Sequence, residues 1–183
     1  MKKLALNLGS GHNYQKSDEN YEWINLDNTE LFKTDIKRDI LRGIPNNNDT
    51  YDIVLCSHFL EHFNGENFIF ILNEIHRVLK PDGELHILSP YHKFWGAWID
   101  PHHKIFFNEH SFEPFWFPQT SNVSMGVKGW FFPIVNEVAE EQELRVIMRK
   151  VSQHVLKSYL DQVGKKISDT EWLPPEDWTK YYA

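Results

Sequence analysis

Four short apolar runs, each halted by a residue able to meet a ligand, constrain this chain more than any other feature. Lys3 to Leu8 stops at Gly9-Ser10-Gly11, Trp23 to Leu26 at Asp27, and Tyr51 to Cys56 at Ser57-His58, while the weaker run Phe32 to Ile36 comes shortly before Asp39. Runs of this length bounded by turn formers read as buried strands. Between Glu66 and Lys80, the residues Phe68, Ile71, Leu72, Ile75, Val78 and Leu79 fall at helical spacing, one stripe of an amphipathic helix. Pro81-Asp82-Gly83 ends that helix, and Glu84 to Leu88 resumes as a strand. Short buried strands joined by crossovers predict an α/β fold around a mostly parallel sheet.

At 183 residues the chain suits one domain with a core of its own, and 41% apolar with 25% charged residues is the balance of a folded globular protein. Residues 91 to 132 change character: rich in Trp, Phe and His and broken by Pro101, Pro114 and Pro118, they read as a lid or wall over the edge of the sheet. Trp130 to Val138 and Glu143 to Lys150 flank an acidic turn and predict a closing antiparallel hairpin. Residues 151 to 167 suit a last helix, and Ser168 to Ala183, with Pro174-Pro175, an irregular tail. The expected organisation is one domain over 1–167 with an aromatic lid insertion at about 91–129, then a tail over 168–183.

A formal net charge of −7, with no run of Lys and Arg, argues against nucleic acid as a partner. The single cysteine, Cys56, lies in a strand and has no internal partner, which suits a reducing, cytoplasmic setting. The apolar stretch after Met1-Lys2-Lys3 is too short for a signal peptide or a membrane span, so no membrane association is expected.

In an open α/β sheet, ligands bind beyond the carboxyl ends of the strands, where the marked residues of this chain fall. A glycine pair after the first strand lets backbone approach a ligand closely, and an acid after the second can accept both hydrogen bonds of a ribose diol. That combination suits an adenosine. A dinucleotide would also need a helix N-terminus for its pyrophosphate. Only the mostly polar stretch His12 to Glu22 separates Gly11 from Trp23, too little for such a helix and its loops. A phosphate-free nucleoside loses nothing by this shortening.

Leu6-Asn7-Leu8-Gly9-Ser10-Gly11, Trp23-Ile24-Asn25-Leu26-Asp27, the stretch from Tyr51 to His62 and the stretch from Leu72 to Leu85 together resemble class I S-adenosylmethionine-dependent methyltransferases. The resemblance spans roughly the first half of the chain in the right order, and is greatest to the short methyltransferases associated with surface-glycan genes. It implies a Rossmann-like fold whose mostly parallel sheet is closed by a C-terminal antiparallel hairpin, with S-adenosyl-L-methionine as cofactor and a small-molecule or sugar acceptor. By the same resemblance Gly9 and Gly11, with Ser10 and Asn7 beside them, pass under the methionine part of the cofactor. Asp27, with Asn28, holds the ribose; Asp39 and Ile40 meet the adenine; Ser57 and His58 line the sulfonium side. The chain departs from the family at Asn7, where many members carry an acid.

Methyl transfer needs alignment, exclusion of water and, for weak nucleophiles, removal of a proton, so His58, His62, His102 and His103 are the candidate general bases. Other readings compete. Asp27 and Asp39 can serve as caps, and the aromatic residues between Phe94 and Phe132 as core or lid packing. His58-Phe59-Leu60-Glu61-His62 also fits the H-x-x-E-H pattern of inverted zinc proteases, but that pattern needs both His on one long helix, whereas a strand ends just before His58 and Asn64-Gly65 follows His62. Asp100-Pro101-His102-His103 with His110 is a second cluster of metal-ligand types. No metal is assigned to either. A nicotinamide oxidoreductase, a zinc hydrolase and a non-catalytic S-adenosylmethionine-binding subunit are the rival functions.

Overall fold

The computed structural model describes residues 2–116, 120–152 and 154–155. A seven-stranded sheet runs through it: β1 (Lys3–Leu8), β2 (Tyr21–Asp27), β3 (Ile36–Lys37), β4 (Tyr51–Ser57), β5 (Leu79–Pro90), β6 (Phe131–Ala139) and β7 (Glu143–Lys150). The spatial order is β3-β2-β1-β4-β5-β7-β6. The first five strands are parallel, and β7 lies antiparallel to both β5 and β6. This is the expected Rossmann-like architecture, a mostly parallel sheet closed by an antiparallel hairpin.

The central strands are apolar on both faces: Ala5, Leu6, Leu8, Val54 and Cys56 are all inaccessible to solvent. The helix α1 (Gly65–Val78) crosses from β4 to β5 and buries Phe68, Ile71, Leu72, Ile75 and Val78 against the sheet. Asn64 starts it, its side chain accepting from the backbone N–H of Asn67. Helix and strand then meet without a loop, because Leu79 already pairs with Tyr51, and the Pro81-Asp82-Gly83 turn is absorbed as an irregularity inside β5. The strand therefore starts five residues before Glu84.

β3 is also shorter than Phe32 to Ile36. Asp35 accepts from the backbone and side-chain amides of Asn25, and the Thr34 hydroxyl donates to the Asn25 carbonyl. These side chains satisfy β2 where a longer β3 would have continued the ladder, leaving Leu31 and Phe32 exposed.

Residues 91–130 divide in two. Phe107, Phe112 and Phe115 are buried and ring the Phe68 side chain of α1 at centroid distances of 5.4, 5.8 and 5.5 Å. Trp95, Trp98 and Ile99, on and beside the short helix α2 (Gly96–Ile99), stay more than half exposed. Among the described residues no helix is long and apolar enough to cross a membrane. The closing helix expected over 151–167 falls, beyond residue 155, outside the described residues, as does the whole tail over 168–183.

Candidate active site

The register of the sheet sets the site. Leu8 pairs with Leu26 on one side and Cys56 on the other, so Gly9, Asp27 and Ser57 follow at one level along the carboxyl rim. Gly9 has φ of 72°, and a Cβ there would stand 1.9 Å from the ring of Phe59, so both backbone and packing demand glycine. Gly11 has φ of 43°, but a Cβ on it would meet nothing within 4 Å, so this part of the turn faces open space.

Asp27 locks the turn. Its Oδ2 accepts from the Gly11 N–H at 2.8 Å and its Oδ1 from the Thr29 N–H at 2.8 Å. A carboxylate has about four lone-pair sites, so each oxygen keeps one for a ligand. Gly9, Gly11, Asp27 and Asn28 line a cleft of about 350 Å³ together with Asp39, Ile40, His58 and His62. Asp39 also caps the 3₁₀ turn Ile40–Arg42 through the Leu41 N–H, so its capping and its place on the cleft coexist. Arg38, Phe59 and Phe63, none of them singled out from the sequence, line the cleft too.

Three expected cofactor residues do not line that cleft. Asn7 is buried, and its amide donates to the Asn13 carbonyl at 2.7 Å and to Asn25 Oδ1 at 3.0 Å. Asn25 in turn holds the backbone of Gln15. Asn7 thus fastens the β1–β2 connection rather than a ligand, and an acid would fail there because both partners are acceptors. Ser10 is buried with an unpartnered hydroxyl, and Ser57 does not line the cleft.

His58 joins the cleft to a second cavity of about 390 Å³, and lines both. The second cavity draws Phe94, Asp100 and His103 from the 91–130 segment and Glu143 from the start of β7. His58 has φ of 50°, unusual outside glycine, and its N–H is held by the Leu88 carbonyl at 2.8 Å. That backbone turn sets the ring between two carboxylates: Nδ1 lies 3.7 Å from Glu61 Oε1 and Nε2 3.4 Å from Glu143 Oε2.

Glu61 escaped the sequence reading except as a letter of the H-x-x-E-H pattern. It lies in the 3₁₀ turn Leu60–His62 and is 1% exposed. Oε2 accepts from the Ser89 hydroxyl at 3.3 Å, whereas Oε1 has no hydrogen-bond partner. The Glu61 carbonyl accepts from the N–H groups of Lys104 and Ile105, which brings the His103 loop to His62 with ring centroids 4.9 Å apart. His58 and His62 share no helix, so the inverted-protease arrangement does not form. His102 is a correction: its ring is 83% exposed, bonds to Asp100 at 2.9 Å and lines neither cavity. Its N–H groups hold the Asp100 carboxyl below the usual carboxylate range. His110 pairs with Glu113 and stands apart from Asp100.

The β1–β2 connection contains no helix, so no helix N-terminus points at the glycine turn. Arg38, the one Lys or Arg among the described residues that lines the cleft, is committed to the carbonyls of Gly43 and Arg42. The rim suits a ligand with a diol and no phosphate.

Residues 4–87 match the methyltransferase domain family. The fold resembles an S-adenosylmethionine-dependent methyltransferase from Archaeoglobus fulgidus, 20% identical over 81% of this chain and 86% of that one, with a TM-score of 0.54. It also resembles an S-adenosylmethionine-dependent methyltransferase from Aquifex aeolicus, 14% identical over 81% of this chain and 82% of that one, TM-score 0.54. A third similar structure is the Burkholderia thailandensis 1,6-didemethyltoxoflavin-N1-methyltransferase with bound 1,6-didemethyltoxoflavin and S-adenosylhomocysteine, 13% identical over 82% of this chain and 72% of that one, TM-score 0.55. No curated protein matches the sequence.

Proposed function

Since this chain is a class I S-adenosylmethionine-dependent methyltransferase, we propose that it methylates a hydroxyl of an uncharged small molecule of the sugar class, with His58 as general base. The observation that carries this is that His58 lines both the cofactor cleft and the second cavity, between Glu61 and Glu143.

The cleft fits the cofactor. Asp27 has a free lone pair on each oxygen for the ribose diol, and the open space at Gly11 admits a ligand against backbone. Asn28 adds to the ribose side, while Ile40 offers an apolar face and Asp39 a carboxylate to the adenine side. Bound there, S-adenosylmethionine supplies a methyl group on a sulfonium, already activated for in-line displacement.

The second cavity is the proposed acceptor site, and the segment 91–129 its wall and lid. Carboxylates at Asp100 and Glu143 accept hydrogen bonds from hydroxyls, and the Phe94 ring offers a face to the C–H groups of a sugar ring. The resemblance to methyltransferases associated with surface-glycan genes supports the same class. His58 takes the hydroxyl proton at Nε2, while the buried Glu61 carboxylate, 3.7 Å from Nδ1, balances the charge of the imidazolium.

Calorimetry with S-adenosylhomocysteine and with NAD checks the cofactor, and methyl transfer from labelled donor to neutral sugars checks the acceptor. His58→Ala is expected to lower turnover by about 10²–10⁴-fold, the usual worth of a general base, while S-adenosylhomocysteine affinity stays within about threefold. Loss of that affinity together with turnover would instead make His58 a cofactor contact.

A further inference from the structure

We propose that Glu61, His62 and His103 form a binding site for a divalent cation of the zinc and cobalt class, where the cofactor cleft meets the second cavity. Each of the three offers one ligand atom, and these atoms all lie within 4.8 Å of one another. Bonds of about 2.1 Å in tetrahedral array put ligand atoms about 3.4 Å apart, so side-chain torsions alone can close the set around an ion.

Three independent features prepare the site. Glu61 is 1% exposed, and its Oε1 has no hydrogen-bond partner. A buried carboxylate oxygen without a donor is costly, and a cation removes that cost. His58 Nδ1, 3.7 Å from that oxygen, is too far for a hydrogen bond. The second feature is the tautomer of His103. Nδ1 lies 2.7 Å from the Ala97 carbonyl, which can only accept, so the proton belongs on Nδ1 and the lone pair on Nε2. A backbone carbonyl behind the far nitrogen is the usual support of a metal-binding imidazole. Asp100 Oδ2 stands 3.9 Å from Nε2 and does not occupy it. The third is the anchoring: the His103 loop is tied to Glu61 itself by the Lys104 and Ile105 N–H groups, so the ligands are held by one hydrogen-bonded unit.

Two imidazoles and one carboxylate form a borderline donor set, suited to Zn²⁺ or Co²⁺ and poor for Ca²⁺ or Mg²⁺, which favour oxygen. Three protein ligands leave a coordination position open. His62 lines the cofactor cleft and His103 the second cavity, so an ion between them would favour an acceptor oxygen in its deprotonated form. The site is not the H-x-x-E-H pattern, since His58 is replaced as ligand by His103, forty-five positions further along the chain. The ion site rests on the three side chains and not on the acceptor reading.

The test is calorimetric titration of the chelator-treated full chain with ZnCl₂ and CoCl₂, with the visible spectrum of Co²⁺ followed in parallel. One equivalent should bind, and the Co²⁺ bands should report four or five coordination with nitrogen ligands. His62→Ala and His103→Ala should each weaken binding by at least about 100-fold, more than the loss of an outer support. His110→Ala, which disrupts the exposed pair with Glu113, should leave the affinity unchanged. S-adenosylhomocysteine binding, retained in His103→Ala and His110→Ala, neither of which lines the cofactor cleft, separates this result from the cofactor reading, and a native circular dichroism spectrum in all three variants certifies the fold. If an alanine variant loses it, His62→Gln and His103→Gln take its place. Binding unaffected by changes at 62 and 103, or abolished by His110→Ala, overturns the proposal, as does failure of the wild-type chain to bind one equivalent.

Discussion

Asp27 carries two tasks at once, fixing the glycine turn through the Gly11 N–H and presenting a free lone pair on each oxygen to the cleft. Asp27→Asn keeps the shape but turns an acceptor into an NH₂ donor facing either a backbone N–H or the ribose. Loss of a charge-assisted hydrogen bond is worth about 1.5–3 kcal/mol, or roughly 10- to 100-fold in affinity, so calorimetry should find S-adenosylhomocysteine binding weakened by that factor. A change below threefold contradicts the ribose role. His76 makes a second prediction. Burial, and next the Lys150 ammonium, lower its pKa from 6.5 to about 4, and its Nε2 has no partner. The unfolded chain protonates His76 near pH 6.5 and the folded chain only near pH 4. Between those values the unfolded state holds more protons, so stability falls as the pH drops through this window and is independent of His76 above it. At about 1.4 kcal/mol per pH unit the loss is about 3 kcal/mol. Urea unfolding of the wild type and of His76→Gln at pH 7 and pH 4.5 measures it: the gap between the two proteins should narrow or reverse in acid, while the paired carboxylates affect both alike.

At the scale of elements, α1 ties the core to the site. Its Glu74 accepts from the Ile44 N–H, and Arg77 reaches the carbonyls of Ile44 and Asn46, which holds the loop after Ile40 against the helix. The Arg77 guanidinium keeps the Glu74 carboxyl below its ordinary range. Asn64→Ala removes the cap on Asn67 and should cost about 1 kcal/mol in chemical denaturation. Cofactor affinity should not change, because Asn64 does not line the cleft. The stripe that α1 buries is written at a period visible in the sequence, and so are β1, β2, β4 and the closing hairpin, because apolar runs bounded by turn residues need no knowledge of their neighbours. The half of the rim that follows those strands was legible for the same reason. The true extent of β3 is not legible in the sequence because Thr34 and Asp35 bond to Asn25, a contact between side chains and a different strand. The 91–130 segment gave no periodic signal because Phe107, Phe112 and Phe115 are fixed by Phe68 of α1. Glu61 was missed because its burial depends on Ser89 and on the backbone at 104 and 105, more than twenty-five residues away.

The whole molecule carries a net charge of −7, and the second cavity concentrates that sign. Asp100 and Glu143 line it, and among the described residues no Lys or Arg does. Glu143 arrives from the first residue of β7, so the antiparallel hairpin that closes the sheet also completes the cavity wall opposite His58. A cavity lined by two carboxylates repels an anion, although the Arg145 guanidinium, which donates to Glu143 Oε1 at 3.0 Å, offsets part of that charge: at roughly 6 Å and an effective dielectric of about 20–40, each unit charge contributes on the order of 1.5–3 kcal/mol. Adding a phosphate or carboxylate to an accepted neutral sugar should therefore lower kcat/KM by at least about tenfold at low salt. The Debye length falls from about 30 Å at 0.01 M to about 8 Å at 0.15 M ionic strength, so the part of this discrimination due to long-range repulsion should shrink over that range while the part due to the two lining carboxylates persists. Glu143→Gln separates the two contributions, since it removes one lining charge and changes the net charge only from −7 to −6. Relative to wild type at 0.15 M salt, it should narrow the ratio of neutral to anionic kcat/KM by several-fold. A ratio that does not respond to Glu143→Gln would mean that acceptors do not enter the cavity it lines.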